Sequence, residues 1–138
     1  MSRIKYDFVS MRFMSLFESV TGAKLKDCIM GNELVTFIVE ENQIGKAIGK
    51  AGINVRKLER ALNRKIKIVE FSSEILRFVQ KAIYPLTVKD IKEENGTITI
   101  FSPDAKTKGL LIGRDKQNLN SLKEMVARFF DVNEIKIM

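Results

Sequence analysis

The sequence has no histidine and a single cysteine in its 138 residues. Without histidine there is no His-based triad or proton relay, and no His-ligated metal. Cys28 alone cannot close an intramolecular disulfide, and one thiol cannot build a zinc site. A lone cysteine also fits a reducing compartment. No apolar run approaches the ~20 residues that a membrane helix needs. The opening Met1-Ser2-Arg3-Ile4-Lys5-Tyr6-Asp7 lacks the apolar core of a secretory leader. Neither membrane insertion nor export is therefore expected. What remains is 45% hydrophobic and 30% charged, a balance that suits a folded chain and argues against disorder or a fibre. The length fits one ordinary domain, or two small ones that gain from a shared interface.

The charge is unevenly placed. The chain carries 24 Lys and Arg against 17 Asp and Glu, net +7. Between Lys46 and Lys67 stand eight basic residues, Lys46, Lys50, Arg56, Lys57, Arg60, Arg64, Lys65 and Lys67, opposed only by Glu59. That window alone holds a net +7 and points to an anionic partner. A solvated helix face would look similar, so the glycines inside the window decide the reading.

The chain repeats itself at an offset of 64 residues. Gly31-Asn32 aligns with Asn95-Gly96, Leu34 with Ile98, Phe37 with Phe101, and Gly45 with Gly109. Ile48-Gly49 aligns with Ile112-Gly113, Asn54 with Asn118, and Leu58 with Leu122. Each copy carries the same parts. The first opens with a helix whose apolar face is Phe13, Leu16, Phe17 and Val20, ended by Gly22. Strands over residues 24–30 and 34–39 follow, joined at Gly31-Asn32. The second opens with a helix capped by Ser72-Ser73, carrying Ile75, Leu76, Val79 and Ile83 and stopped by Pro85. Its strands span residues 86–92 and 97–101, and Asn95-Gly96 suits a type I′ turn. After each hairpin come a short helical turn, a glycine loop and a longer helix. The stripes of those long helices are Ile53, Val55, Leu58, Ala61 and Leu62, and Leu119, Leu122, Met125, Val126 and Phe129. Ile66-Lys67-Ile68-Val69 and Ile135-Lys136-Ile137 close the copies as alternating strands.

The first glycine loop, Ile48-Gly49-Lys50-Ala51-Gly52-Ile53, lies between two helical segments, where free backbone N–H groups can meet a phosphate. Glycine lets the anion approach, and Lys50 adds a charge at the tip. Ile44, Ile48 and Ile53 can line an apolar groove beside it for bases. A nucleotide-binding P-loop is excluded: three residues rather than four separate Gly45 from Gly49, and Ala51 stands where a hydroxyl is required. The dinucleotide pattern G-x-G-x-x-G is absent. The pairs Glu40-Glu41 and Glu93-Glu94 read as solvated carboxylates rather than catalysts, and Cys28 as an inert buried thiol. No enzyme activity, cofactor, metal or small-molecule substrate is expected.

The hairpin, short helix, I-G-K-A-G-I loop, basic helix and strand together resemble the KH domain, a single-stranded nucleic-acid binder. Its G-x-x-G loop clamps the backbone of about four nucleotides. The helix-first order resembles the prokaryotic, type II, KH topology. Two such units in one short chain resemble the archaeal NusA family of transcription elongation and termination factors. Ser15-Leu16-Phe17-Glu18-Ser19-Val20-Thr21-Gly22-Ala23 and Asp27-Cys28-Ile29 resemble that family's start, so the likeness covers nearly the whole chain. It implies an α+β fold of two tandem type II KH domains, each α-β-β-α-α-β. Residues 1–71 would hold the intact loop and residues 72–138 a degenerate one. The RNA-contacting residues it implies are Lys46, Ile48, Gly49, Lys50, Ala51, Gly52, Ile53, Arg56 and Lys57, with Gly113, Arg114 and Lys116 at the second loop. In that loop Lys116 replaces the second glycine. Arg114 and Lys116 can hold a phosphate, or Asp115 can repel it, or Asp115 can simply cap the next helix. With few aromatics for stacking, modest sequence preference is expected.

The expected function is single-stranded RNA binding in transcription elongation, termination or antitermination, in the cytoplasm. The alternative is an adaptor for RNA polymerase or a ribosome-assembly partner, with RNA contact secondary. Bacterial relatives carry a polymerase-binding domain and an S1-type domain for which this chain has no room, so the resemblance does not bring polymerase contact with it.

Overall fold

A computed structural model describes residues 7–31 and 33–138. The stretch read for a leader, residues 1–6, and the turn residue Asn32 lie outside them. The chain divides into two compact units, the first ending at Ser72 and the second beginning at Ser73.

The first unit opens with α1, Phe8–Thr21. Asp7 and Ser10 close a capping box: the Ser10 N–H donates to the Asp7 carboxylate at 2.7 Å, and the Asp7 N–H donates to the Ser10 hydroxyl at 3.1 Å. Two of the helix's orphan donors are thereby satisfied. Gly22 ends the helix in the left-handed region, its N–H donating to the Glu18 carbonyl at 2.9 Å. Strands β1, Leu25–Met30, and β2, Leu34–Val39, pair antiparallel. The short helix α2, Ile44–Ile48, a 3₁₀ turn over Lys50–Gly52 and the helix α3, Ile53–Leu62, carry the chain to β3, Lys65–Glu70. β3 pairs parallel with the central β2, which requires such a crossover rather than a hairpin. The helices cover one face of the sheet. There the Phe17 ring of α1 stacks on Phe37 of β2 with centroids 4.4 Å apart. Cys28, Val35, Val39, Ala47 and Leu58 are buried around them. Each buried Val, Leu or Phe side chain among them contributes about 1.5–3 kcal/mol by leaving water.

The second unit repeats the order: α4, Ile75–Ile83; β4, Asp90–Glu94; β5, Thr97–Phe101; α5, Ala105–Ile112; a 3₁₀ turn over Arg114–Lys116; α6, Gln117–Ala127; and β6, Glu134–Ile137. β4 and β5 are antiparallel, and β5 and β6 parallel. The architecture is α+β with a KH topology in each unit. The 64-residue offset holds through the loops: Ile48 and Ile112 end the short helices, and Ile53 and Gln117 begin the long ones. It fails at the last strand, because α6 is longer than α3 and residues 128–133 precede β6.

Five expectations need correction. The first strand of the second hairpin runs over Asp90–Glu94, not residues 86–92. Asn95 and Gly96 take φ 52° and 80°, so the tight turn closes directly on Glu94 and Thr97 and the ladder runs up to it. Leu86 instead follows α4, its N–H bonded to the Ile83 carbonyl. The charged residues of β4 are tolerated because it is an edge strand with exposed side chains. The cap at Ser72-Ser73 is also displaced: Glu74 occupies the N-cap of α4 with extended backbone. The face of α4 is Phe78, Val79, Ala82 and Ile83, while Leu76 is exposed, because the i, i+3, i+4 stripe runs through Ile75, Phe78 and Val79. On α3 only Leu58 is fully buried, and Ile53 and Ala61 are exposed. Five residues turn Ile53 well away from Leu58 around the helix. Finally, Asp115 does not cap α6, whose N-cap position is Lys116.

Among the described residues no helix is long and apolar enough to cross a membrane.

Candidate nucleic-acid interface

The first loop is shaped by its backbone. Gly49 takes φ 77° and ψ 170°, a combination open to glycine alone, and its N–H donates to the Gly45 carbonyl at 3.0 Å. Ala51 and Gly52 are both left-handed, at φ 55° and 72°. The Gly52 N–H turns back to the Gly49 carbonyl at 3.1 Å. Among the described residues the N–H groups of Lys50 and Ala51 have no hydrogen-bond partner. Both residues are exposed. Two free donors at a solvent-facing turn form a concavity suited to an anion.

The side chains around it divide by role. The Arg56 guanidinium donates to the Ala51 carbonyl, so it braces the loop while holding its charge there. Ile53, Arg56, Lys57 and Arg60 share the face of α3 opposite buried Leu58, and all four are exposed. That face makes a basic track leading from the loop. Glu59, the single acid in the window, is turned inward to accept from the Ile66 N–H at 3.3 Å. Among the described residues Lys46, Lys50, Lys57 and Arg60 form no ion pair. Ile48 and Ile53 flank the loop at 36% and 42% exposure, and Ile44 is half-buried. An apolar border therefore runs beside the basic track.

The other basic residues of the window do not converge there. Lys46 lies over Gly22 at the end of α1, its Cε 3.4 Å from where a Cβ on that glycine would stand. A cation suits that position, since a helix C-terminus is partially negative. Arg64 donates to the Gly31 carbonyl at 3.2 Å. Lys67 is half-buried on β3, and burial pushes its pKa down. The local charge at the loop is thus carried by Lys50, Arg56, Lys57 and Arg60.

The second loop has the same shape. Gly113, Asp115 and Lys116 take φ 76°, 55° and 61°, against 77°, 55° and 72° for Gly49, Ala51 and Gly52. Arg114, Asp115 and Lys116 are exposed. What differs is the helix that follows. Asn120, Ser121 and Glu124 stand where the first unit has Arg56, Lys57 and Arg60, so the basic track is absent. Two residues of the interface escaped the reading of the sequence. Asn54 and Asn118 bind the loops internally, and their equivalent positions in the repeat were the available signal.

Comparison with known proteins agrees with this geometry. The family model described as NusA-like second KH domain matches residues 23–74, which lie in the first unit except for the last two. A probable transcription termination protein NusA from Halococcus morrhuae is 30% identical over 137 residues, covering 98% of this chain and 99% of that protein. One of the same description from Halobacterium salinarum is 33% identical over 128 residues, 91% of this chain and 92% of its own length. The chain belongs to the NusA-like family. The crystal structure of APE1850 shares the architecture of this NusA-like chain, with a TM-score of 0.76 at 28% identity, covering 96% of this chain and all of that one. The family resemblance and the KH fold read from the sequence are both borne out.

Proposed function

We propose that this NusA-like chain is a non-enzymatic, cytoplasmic transcription factor that binds single-stranded RNA during elongation, termination or antitermination. Its named relatives are probable transcription termination proteins, which supports the transcription role. The observation that carries RNA contact is the first loop: among the described residues, two free backbone N–H groups at an exposed turn, beside a basic track without ion pairs. A phosphate would accept from the Lys50 and Ala51 N–H groups. The Lys50 ammonium would screen its charge, and Arg56, Lys57 and Arg60 would attract the phosphates that follow. Ile48 and Ile53 would lie against bases, which gives contact with little sequence discrimination. The two KH domains proposed are residues 1–71 and 72–138, with Gly113, Arg114 and Lys116 a weaker second contact because no basic track adjoins them.

The test is fluorescence anisotropy of labelled single-stranded RNA at two salt concentrations, for wild type and the Lys50→Asp/Ala51→Asp double variant. Asp115 holds the Ala51 conformation in the second loop, so an aspartate is conformationally permitted at 51. Wild type should lose about 0.7 log units of affinity per phosphate contact for each log unit of salt. The double variant should lose binding and keep its fold. Salt-indifferent binding, or a double variant that binds normally, would remove the loop from the interface. The adaptor reading, with RNA polymerase or a ribosome-assembly partner, draws on one observation: Phe8, Val9 and Met11 are exposed on α1 at 75%, 48% and 58%. Capture of polymerase by a chain that ignores RNA would favour it.

A further inference from the structure

Each loop is tied by one asparagine. The Asn54 side-chain amide donates to the Lys46 carbonyl at 3.1 Å, and that of Asn118 to the Leu110 carbonyl at 2.8 Å. Each bond spans eight residues and clips the first turn of the long helix to the short helix before it. The same amides lie against the first glycine. A Cβ on Gly49 would stand 2.8 Å from Asn54 Nδ2, and one on Gly113 would stand 2.6 Å from Asn118 Cγ. The second glycine position is different. A Cβ on Gly52 would meet nothing closer than the Arg56 guanidinium at 3.5 Å, an ordinary contact. In the second loop Lys116 already carries a side chain there in the left-handed conformation.

We propose that Asn54 and Asn118 are positioning residues that hold the two loops in their phosphate-accepting shape. The structural code of the loop is then a glycine followed five residues later by asparagine, and the second glycine is dispensable to it. The near-identity of the two loops follows, since Gly113 and Asn118 are retained where the second glycine is lost. Lys116 therefore leaves the second loop's backbone intact. Its weakness as an anion site comes from the missing basic track and from Asp115. The role in phosphate binding rests on the proposed RNA function, whereas the role in loop shape does not.

The experiment separates the two. Amide chemical shifts and hydrogen exchange of residues 49–52 and 113–116 are recorded in the RNA-free protein for wild type, Asn54→Ala, Asn54→Asp and Asn118→Ala. RNA affinity is measured on the same samples. Asn54→Ala should shift the amides of 49–52, leave 113–116 unmoved, and weaken RNA binding about fivefold, as loss of one hydrogen bond implies. Asn118→Ala should do the reverse for the amides. Asn54→Asp keeps the shape and removes the donor, and aspartate suits the first turn of a helix, so this variant remains decisive if the alanine variant does not fold. Its loop amides should shift as well. Loop amides unmoved in Asn54→Asp would overturn the proposal, as would shifted amides with unchanged RNA affinity. A wild type that binds no RNA would end the RNA reading alone, and the amide comparison would still decide whether the asparagines set the loop.

Discussion

The two glycines of the first loop should tolerate alanine very differently. Gly49 combines φ 77° with ψ 170°, and a Cβ there would stand 2.8 Å from Asn54 Nδ2 and 3.0 Å from both Asn54 Cγ and Ile53 Cγ2. The backbone strain alone costs about 1–3 kcal/mol. Displacing the Asn54 amide also forfeits its bond to Lys46, worth about 0.5–1.5 kcal/mol. After the return of about 0.4–1 kcal/mol from a stiffer unfolded chain, Gly49→Ala should therefore lose about 1–4 kcal/mol. Gly52 lies at φ 72° and ψ 20°, where an L-residue costs about 1–2 kcal/mol. No contact is violated there, and the stiffer unfolded chain returns about 0.4–1 kcal/mol. Gly52→Ala should therefore cost about 0–1.5 kcal/mol. Urea unfolding followed by circular dichroism, with hydrogen exchange of the β2 amides to report on the first unit, measures both. Equal losses, or a larger loss at Gly52, would refute the assignment of strain to the first glycine.

Leu58→Ala empties a fully buried site in the core of the first unit and should cost about 2–5 kcal/mol in the same assay, while Ile53→Ala, at an exposed position, should leave stability nearly unchanged. If Ile53 lines the RNA groove, that second variant should still weaken RNA binding in the anisotropy assay. Asp7 and Asp104 accept from the backbone N–H groups of Ser10 and Thr107, and those bonds hold both carboxyls below the usual aspartate value. A folded pKa below the unfolded one means that their contribution is complete above about pH 4 and lost as pH falls through the folded values. An Asp7→Asn/Asp104→Asn variant keeps capping side chains, so its unfolding midpoint should fall less than wild type's over that acid window. A steeper fall would place the acid sensitivity elsewhere. Arg56→Met should weaken RNA binding and free the Ala51 carbonyl, whereas Arg64→Met, whose guanidinium is turned to Gly31, should leave RNA affinity unchanged. Equal effects would mean that the whole basic window acts as one patch.

Much of the architecture was written in local patterns. β2 and β5 coincide with stretches rich in β-branched and aromatic residues. Gly22 ends α1 and Asn95-Gly96 makes the hairpin turn because each position requires a left-handed residue. The element order, the repeat and the first loop's position follow from periodicity and from where glycines interrupt it. Burial was harder to read. The sequence places a strand over residues 86–92, yet the ladder's register is set by the Asn95-Gly96 turn and pulls charged Asp90–Glu94 into the edge. The helical spacing counts Ile53 in the buried stripe of α3 as well as in the groove beside the loop, and its angle around the helix turns it outward.

The sequence by itself therefore determined the α-β-β-α-α-β order, its duplication and the concentration of positive charge, since these depend on residues close together in the chain. Only the tertiary structure decided which charges belong to the loop. Lys46, Arg64 and Lys67 are drawn away to a helix end, a turn and a strand, while Arg56 folds back onto Ala51. It also decided that the second loop keeps its shape without the second glycine. That depends on an asparagine reaching across eight residues to a carbonyl, a contact that exists only once the two helices are packed.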